Sequence, residues 1–183
     1  MATLLAACVV HELRKDASYW GVTAIDKRPL DRKVKVTQYG LSGDVQADRK
    51  HHGGIAQALY AYAQDDAEYW EGELGRELPA GWFGENLRIE GLDLNNARIG
   101  EQWRIGEQVV VEVTGPRTPC QTFARWVGGE NERGWVKRFS DARRLGAYFR
   151  VVRTGSIQVG DPVTVVHVPE TTDTVLTVYR APE

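Results

Sequence analysis

The stretch EQVVVEVTGPRTPCQTFARW, from Glu107 to Trp126, contains the two patterns on which the fold prediction depends. Its first part, Glu107–Gly115, is an apolar run that ends in glycine and proline, which is typical of a buried β-strand. Pro119 is suited to the first residues of a helix, and the residues after it predict a short one. The stretch therefore predicts a strand, a turn and a helix, with Cys120 where the helix begins.

Apolar or alternating runs bounded by Gly, Pro, Asp or Asn recur along the chain and predict further short strands. They are Thr3–Leu13, Lys33–Tyr39, Ala58–Ala63, Glu85–Gly91, Ala147–Gly155 and Asp161–Val168. Further helices are predicted at Ala63–Gly75 and Asn131–Gly146, and the tail predicts an edge strand or a docked arm. This spacing favours a mainly β barrel or sandwich with peripheral helices over repeated βαβ units. Without a long linker, we expect a single domain over residues 1–183.

Composition excludes several classes of function. The chain has 183 residues, 42% of them hydrophobic, and a formal net charge of −2, which gives no general affinity for nucleic acid or membranes. Any anionic ligand must therefore be held by a local group of Lys and Arg. The two cysteines cannot supply a four-thiolate zinc site, and neither a GxGxxG nor a P-loop motif occurs. The apolar N-terminal run lacks a cationic stretch before it, so we expect no signal peptide and a cytoplasmic location.

The most polar stretch is GLSGDVQADRKHHGG, residues 40–54. Its glycines allow close backbone approach and its acid–base pairs give order, so it is either a long surface loop or a binding loop. His51 and His52 are adjacent and would face opposite sides of a strand, which makes a shared metal difficult. Asn86, between a glycine turn and a strand, either caps the turn or presents its amide to a ligand.

Cys120 has two interpretations from its local sequence. It is a buried, inert thiol, or it is a reactive one, because unpaired N–H groups at a helix start favour a thiolate. Arg117, three residues earlier, adds positive charge. Cys8 lies within an apolar strand pattern and is expected to be a packed core thiol.

Taken together, several stretches resemble the MOSC family, which includes molybdenum cofactor sulfurases, amidoxime-reducing proteins and bacterial relatives that detoxify N-hydroxylated bases. The matching stretches are GLSGDVQADRKHHGGIAQALYAYA, FGENLRIEGL, IGEQWRIG, VTGPRTPC and GAYFRVVRTGSIQVGD, which cover most of Gly40–Val165 in the family's order. TAIDKRPLDRKVKV is similar to an early strand of its bacterial branch. The motifs span residues 21–168 and leave a tail, 169–183, so we expect none of the family's fused modules. Gln57 stands where lysine is common in the family.

The resemblance implies a MOSC-type β-barrel, similar to the pyruvate kinase β-barrel, that binds molybdenum cofactor with Cys120 as the metal ligand. The residues expected around the cofactor are Lys27, Arg28, Arg49, Asn86, Arg117, Thr118 and Cys120. Asp48 and His52 are candidates for handling a proton near the substrate, although either could instead order its loop. Pyridoxal phosphate is not expected, because no lysine-centred site can be identified.

The implied activity is the reduction of N-hydroxylated or other N–O compounds, with electrons from a separate reductase. The alternative is a sulfur or cofactor carrier that uses Cys120 as a persulfide or as a ligand, without substrate turnover. A third possibility is a barrel that has lost the cofactor and binds another small anion.

Overall fold

The computed structural model describes residues 1–18, 21–46, 53–128 and 134–182. Within these ranges the strands are β1 (Thr3–Lys15), β2 (Val22–Pro29), β3 (Val34–Thr37), β4 (Gly40–Leu41), β5 (Leu59–Ala63), β6 (Leu87–Glu90), β7 (Gln102–Ile105), β8 (Val109–Pro116), β9 (Ala147–Arg153), β10 (Gly155–Ile157) and β11 (Val163–His167). The α-helices are α1 (Gln64–Leu74), α2 (Gln121–Gly128), α3 (Trp135–Ala142) and α4 (Val175–Val178), and a short 3-10 helix covers Ile55–Gln57. The chain is mainly β with peripheral helices, as predicted.

Eight strands form the main sheet in the order β11-β7-β8-β9-β5-β6-β1-β2. Neighbouring strands in it are antiparallel, except for β5 and β6. A parallel pair needs a crossover connection, and α1 lies in the segment that joins β5 to β6. The second described sheet has the order β10-β3-β4.

Strand β5 separates the two parts of the hydrophobic core. Its residues Leu59 and Ala61 face one cluster, which residues from both sheets and from α4 complete. Tyr60 and Tyr62 alternate with them and face a second cluster, in which the aromatic side chains of α1, α2 and α3 pack. Because both faces of β5 are covered, all five of its residues are buried.

The expected closed barrel is not found in the described residues. The main sheet ends at β11 and β2, and β1 meets the start of β11 through an isolated bridge between Thr3 and Pro162. Backbone hydrogen bonds flank that bridge, including Leu4 N to Asp161 O and Val163 N to Ala2 O, each at 2.9 Å. Gly160 N also donates to Leu4 O at 2.9 Å, so β1 contacts residues 160–163, at and just before the start of β11, and not β11 along its length.

The tail forms a docked arm, one of its two predicted alternatives. Val175 N donates to Ala97 O at 3.0 Å, and Tyr179 Oη donates to Ser140 Oγ at 2.7 Å. Thr174 and Thr177 form a capping box that starts α4. No helix in the described ranges combines the length and the hydropathy that crossing a bilayer requires.

Candidate functional site

A cavity of about 500 Å³ lies between β2, the ends of β5 and β9, and the start of α2. That volume is in the range of small-molecule and cofactor sites. The polar side chains on which its chemistry depends come from separate parts of the chain: Lys27, Gln57, Asn86, Arg117, Cys120 and Tyr148. Ala24, Ile25 and Val45 add apolar surface.

Cys120 lies at the start of α2, where the sequence predicts it. The first helical residue is Gln121, and Ala124 N donates to Cys120 O at 3.0 Å, which closes the first turn. Cys120 is partly exposed and lines the cavity, whereas Cys8 lies in β1 with no exposed surface. Burial raises the pKa of the Cys8 thiol far above its usual value, so Cys8 is the inert core thiol that its strand pattern predicts.

Arg117 is a buried cation that borders the cavity. Its residue is 7% exposed, and its Nη1 has no hydrogen-bond partner in the described part of the chain. The guanidinium lies over the ring of Phe123 at 4.5 Å and over the ring of Tyr60 at 5.3 Å. Burial works against its charge, but the acidic groups of Tyr60, Tyr148 and Cys120 outweigh burial and raise the pKa of Arg117. Arg117 is therefore a charged donor with an unused N–H group.

Lys27 and Asn86 border the cavity but are held by Asp44. Lys27 Nζ lies 2.5 Å from Asp44 Oδ2, and both side chains are buried. Asn86 Nδ2 donates to the same oxygen at 2.7 Å and to Cys8 O at 3.2 Å, while Asn86 Oδ1 accepts from Tyr60 N at 3.1 Å. Both amide hydrogens of Asn86 therefore bond to acceptors of the protein itself. Asn86 holds Asp44 in position, and Asp44 in turn holds Lys27.

Gln57 ends the 3-10 helix and presents a second unpaired atom. Its Oε1 is buried and has no hydrogen-bond partner among the described residues, and the residue lines the same cavity as Arg117. Its backbone carbonyl accepts from Gln46 Nε2 at 3.2 Å. Gln46 Oε1 also accepts from Gly54 N at 2.9 Å, so this side chain ties residue 46 to both ends of the short segment 54–57.

Tyr148 adds a phenol to the cavity wall. Burial raises its pKa, and the charge of Arg117 offsets this only in part, so the phenol stays protonated at neutral pH. The neighbouring Tyr60 lies with its ring 5.5 Å from that of Tyr148, and its hydroxyl donates to Leu145 O at 2.8 Å.

A cluster of Asp16, Thr122 and Arg125 attaches α2 to the segment after β1. Arg125 donates to both carboxylate oxygens of Asp16, at 2.9 and 2.8 Å, and Thr122 Oγ1 lies 2.9 Å from Asp16 Oδ2. Burial opposes ionisation of Asp16, but these bonds and those from Ser18 outweigh it and lower its pKa well below the usual range. The cluster holds α2 to this segment at Thr122 and Arg125, within the first two turns after Cys120.

The structure brings together four of the predicted site residues: Lys27, Asn86, Arg117 and Cys120. Arg28 does not line the cavity; its side chain is 58% exposed and lies 3.8 Å from Asp26. Thr118 is also exposed and outside the lining, because the turn before Pro119 points it to solvent. Asp48, Arg49 and His52 lie outside the described residues, so their predicted roles stay predictions.

Sequence reasoning missed Asp44, Tyr148 and the Asp16 cluster. A signal for Tyr148 existed, since Ala147 and Phe149 are buried in the first cluster and strand alternation sends Tyr148 to the opposite face. Asp44 stands in the glycine-rich loop, but its partner Lys27 is 17 residues away in sequence and no local pattern joins them.

Comparison with known proteins identifies chains of similar fold and sequence. The crystal structure of YiiM from Geobacillus stearothermophilus superposes with a TM-score of 0.78 and 25% identity, covering 97% of this chain and 82% of that one. YflK of Bacillus subtilis (strain 168) is 36% identical over 138 residues, which are 75% of this chain and 61% of YflK. A protein of Gibberella moniliformis (strain M3125 / FGSC 7600) named reductase is 31% identical over 164 residues, 86% of this chain but 28% of that protein.

The chain spans less than two thirds of the length of the curated relatives it matches. A profile of the MOSC domain matches residues 48–164, which is more than half of the sequence. The chain therefore belongs to the MOSC domain family.

Proposed function

We propose that the chain binds molybdenum cofactor in the cavity and reduces N-hydroxylated or other N–O compounds there. The observation that carries the proposal is that Cys120 and the buried cation Arg117 line the same cavity. The relative named reductase supports the class of reaction. We place the activity in the cytoplasm, with electrons supplied by a separate reductase.

The residues present fit the cofactor. A buried guanidinium without a carboxylate partner is stabilised by an anionic group, which the phosphate of the cofactor would supply. A thiolate is a soft ligand and suits a metal that already has sulfur ligands. Arg117 would hold the anionic end, and Cys120 would bind the metal through Sγ. The amide N–H groups of Asn86 are not available to donate to the cofactor, because they already donate to Cys8 O and Asp44 Oδ2.

When bound, the cofactor would supply a metal that exchanges two electrons with the substrate. The balanced reaction is R–NH–OH plus two electrons and two protons, giving R–NH₂ and water as the N–O bond breaks. The chain contributes protons and positioning. Tyr148 holds a proton at Oη, and Lys27 Nζ lies beside Asp44 at the cavity. Asp48 and His52 stay candidates for the same role.

Ala24 and Ile25 are buried and give the cavity an apolar wall. In such surroundings the charge of Arg117 acts more strongly on a bound group than it would in solvent. Phe123 and Tyr60 keep the guanidinium in place through their ring faces, so its orientation exists before any ligand arrives.

The test begins with expression in a host that makes the cofactor, followed by elemental analysis of the purified protein. We expect molybdenum in the wild type and in Cys8→Ala, and its loss in Cys120→Ser. A reduced dye is then the electron donor for turnover of an N-hydroxylated base, with Cys120→Ala as the control. Wild type without molybdenum, or equal molybdenum in Cys120→Ser, contradicts the proposal. Sulfane sulfur on Cys120 without reduction supports the carrier instead.

A further inference from the structure

The helices cover only part of the outer face of the main sheet. Tyr60 and Tyr62 of β5 lie in the aromatic cluster of α1, α2 and α3. On β7, β8 and β9 the residues that face away from the first core cluster are exposed or half-buried. Strand pairing places them in two rows, Gln102, Glu112 and Arg150 in one and Arg104, Val110 and Arg153 in the other. We call these six residues the open face.

The open face is positively charged. Its three arginines and one glutamate give it a charge of +2, whereas the whole chain carries −2. Arg150 is paired with Glu112, with Nε 2.8 Å from Oε1. Arg104 is exposed, and Arg153 donates to the backbone oxygen of Gln108. Neither of these two arginines forms an ion pair with a residue in the described ranges, so their charges are available to a partner.

The open face is continuous with the wall of the cavity. Tyr148 lines the cavity and lies two residues before Arg150 in β9, on the same side of the strand. Residues two apart in a strand are separated by about 7 Å, so the open face begins about that far from the cavity wall. A protein bound to the open face would therefore lie beside the cavity.

Charge distinguishes among the macromolecules that could cover the open face. A second copy of the chain, bound about a two-fold axis, would bring two faces of equal positive charge together, which is unfavourable. Duplex nucleic acid is bound through about 6 to 10 phosphate contacts, more than two unpaired arginines supply. An acidic protein complements the charge, and complementary charges increase the rate of association.

We propose that the open face is the docking surface for an acidic electron-donor protein. This rests on the proposed function, which takes its electrons from a separate protein, and it adds the place and the charge of that contact. Each reduced donor molecule gives up one electron and leaves oxidised. Two such molecules supply the two electrons that break the N–O bond, and two protons from water complete the amine and the water that form.

The experiment uses molybdenum-loaded protein, an N-hydroxylated base as substrate, and two electron donors in parallel. One donor is reduced flavodoxin, a small acidic flavin protein, and the other is a neutral reduced dye. Arg104→Glu is expected to lower kcat/KM for flavodoxin about tenfold at low ionic strength and to leave the rate with the dye unchanged. The loss should shrink in about 1 M salt, where the screening length falls to about 3 Å.

The matched control is Lys137→Glu, the same reversal of charge on α3. Its side chain is 81% exposed and lies on the part of the molecule that the helices cover. It should keep the wild-type rate with both donors. An unchanged rate with flavodoxin in Arg104→Glu overturns the proposal, and so does an equal loss in Lys137→Glu, which would reflect net charge alone. An equal loss with the dye in Arg104→Glu also overturns it, because the substitution would then act on the cavity.

If wild type turns over no substrate with either donor, the proposed reductase fails, and binding still tests the open face. Oxidised flavodoxin is then titrated into the protein in a calorimeter at low ionic strength. Binding that Arg104→Glu weakens and Lys137→Glu preserves supports the docking surface. Absence of binding to wild type overturns it. Tighter binding of a DNA duplex than of flavodoxin, lost in Arg104→Glu, overturns it as well and assigns the open face to nucleic acid.

Discussion

Arg88 and Arg117 are both buried, but their surroundings differ. Arg88 donates to Glu85 Oε1 from Nε at 2.9 Å and from Nη2 at 2.5 Å, and it also reaches Gln64 Oε1 at 3.2 Å. Arg117 has aromatic rings around its guanidinium and an unpaired Nη1. Arg88 therefore completes an ion pair within the fold, whereas the counter-charge of Arg117 would come from a ligand.

This difference predicts that the same substitution lowers stability much more at Arg88 than at Arg117. Arg88→Met leaves Glu85 buried and uncompensated, so we expect it to lower the free energy of unfolding by about 3 to 5 kcal/mol. Arg117→Met removes a charge that burial already opposes and loses contacts with aromatic rings and with the Tyr148 phenol, so we expect a smaller loss of about 1 to 2 kcal/mol. Urea unfolding of cofactor-free protein measures both. A loss in Arg117→Met as large as that in Arg88→Met would assign Arg117 to the fold.

At the scale of elements, α2 carries Cys120 at its start, and one carboxylate supplies the charged part of its attachment, beside the packing of Phe123 and the bond from Trp126 to Trp82 O. Asp16 accepts from Thr122 and Arg125, which lie on the first two turns of the helix, and from Ser18 N in its own segment. The position of the thiol therefore depends on an ionised side chain that belongs to a different element.

The lowered pKa of Asp16 predicts how this attachment depends on pH. Because the pKa is lower in the folded state, the stabilisation is present above the unfolded-state value and is lost as pH falls through the folded-state value. Asp16→Asn should lower the free energy of unfolding by about 1 kcal/mol at pH 7, and the difference from wild type should disappear in strong acid. The control is Asp141→Asn, whose exposed pair with Lys137 should contribute little. A pH-independent difference between Asp16→Asn and wild type would contradict this account.

The start of β9 sets the distance between that strand and β5. Gly146 has a φ of +69°, and a Cβ there would lie 2.4 Å from Ala61 O and 2.8 Å from ring atoms of Tyr60 and Tyr62. Gly146 O also accepts from Arg117 N at 3.4 Å, so the same residue positions the site.

Gly146→Ala should therefore separate β9 from β5 and displace Arg117 and Tyr148. We expect a loss of about 3 kcal/mol or more in the free energy of unfolding, together with a lower molybdenum content after expression in a competent host. Gly160→Ala provides the control, because Gly160 has a similar φ of +88° with no atom near its would-be Cβ. It should cost only the backbone strain, about 1 to 2 kcal/mol. Equal losses in the two variants would show that crowding at Gly146 is not the cause.

Across the whole molecule, local sequence patterns predicted the strands and helices well but predicted the contacts between residues distant in sequence poorly. The alternation of Val109, Val111 and Val113 with less buried residues marks β8 directly, and the turn at Pro119 marks the start of α2. The expected closed barrel is not found in the described residues, where β1 meets the start of β11 through one bridge between Thr3 and Pro162, a contact that no local sequence pattern reveals. The amide of Asn86 is used by Cys8, Tyr60 and Asp44, which are up to 78 residues away in sequence. Sequence could therefore place Asn86 near the site but could not assign its hydrogen bonds.

The cavity lies where β2, β5, β9 and α2 meet, so a ligand bound there would connect elements that are distant in sequence. A ligand that binds only the folded state stabilises it by about 2.7 kcal/mol at a hundredfold excess over Kd. For a chain of this length that is a rise of at least about 5 °C in melting temperature. We expect this difference in melting temperature between protein from a host that makes the cofactor and protein from a host that does not, with the same far-ultraviolet circular dichroism in both.

Arg117→Met should abolish the difference in melting temperature, because it removes the charge that holds the anionic group. Arg150→Met, at an exposed pair with Glu112, should preserve the difference. Equal melting temperatures of the two wild-type preparations, with molybdenum present in one, would mean that the cofactor binds outside this cavity or too weakly to connect these elements.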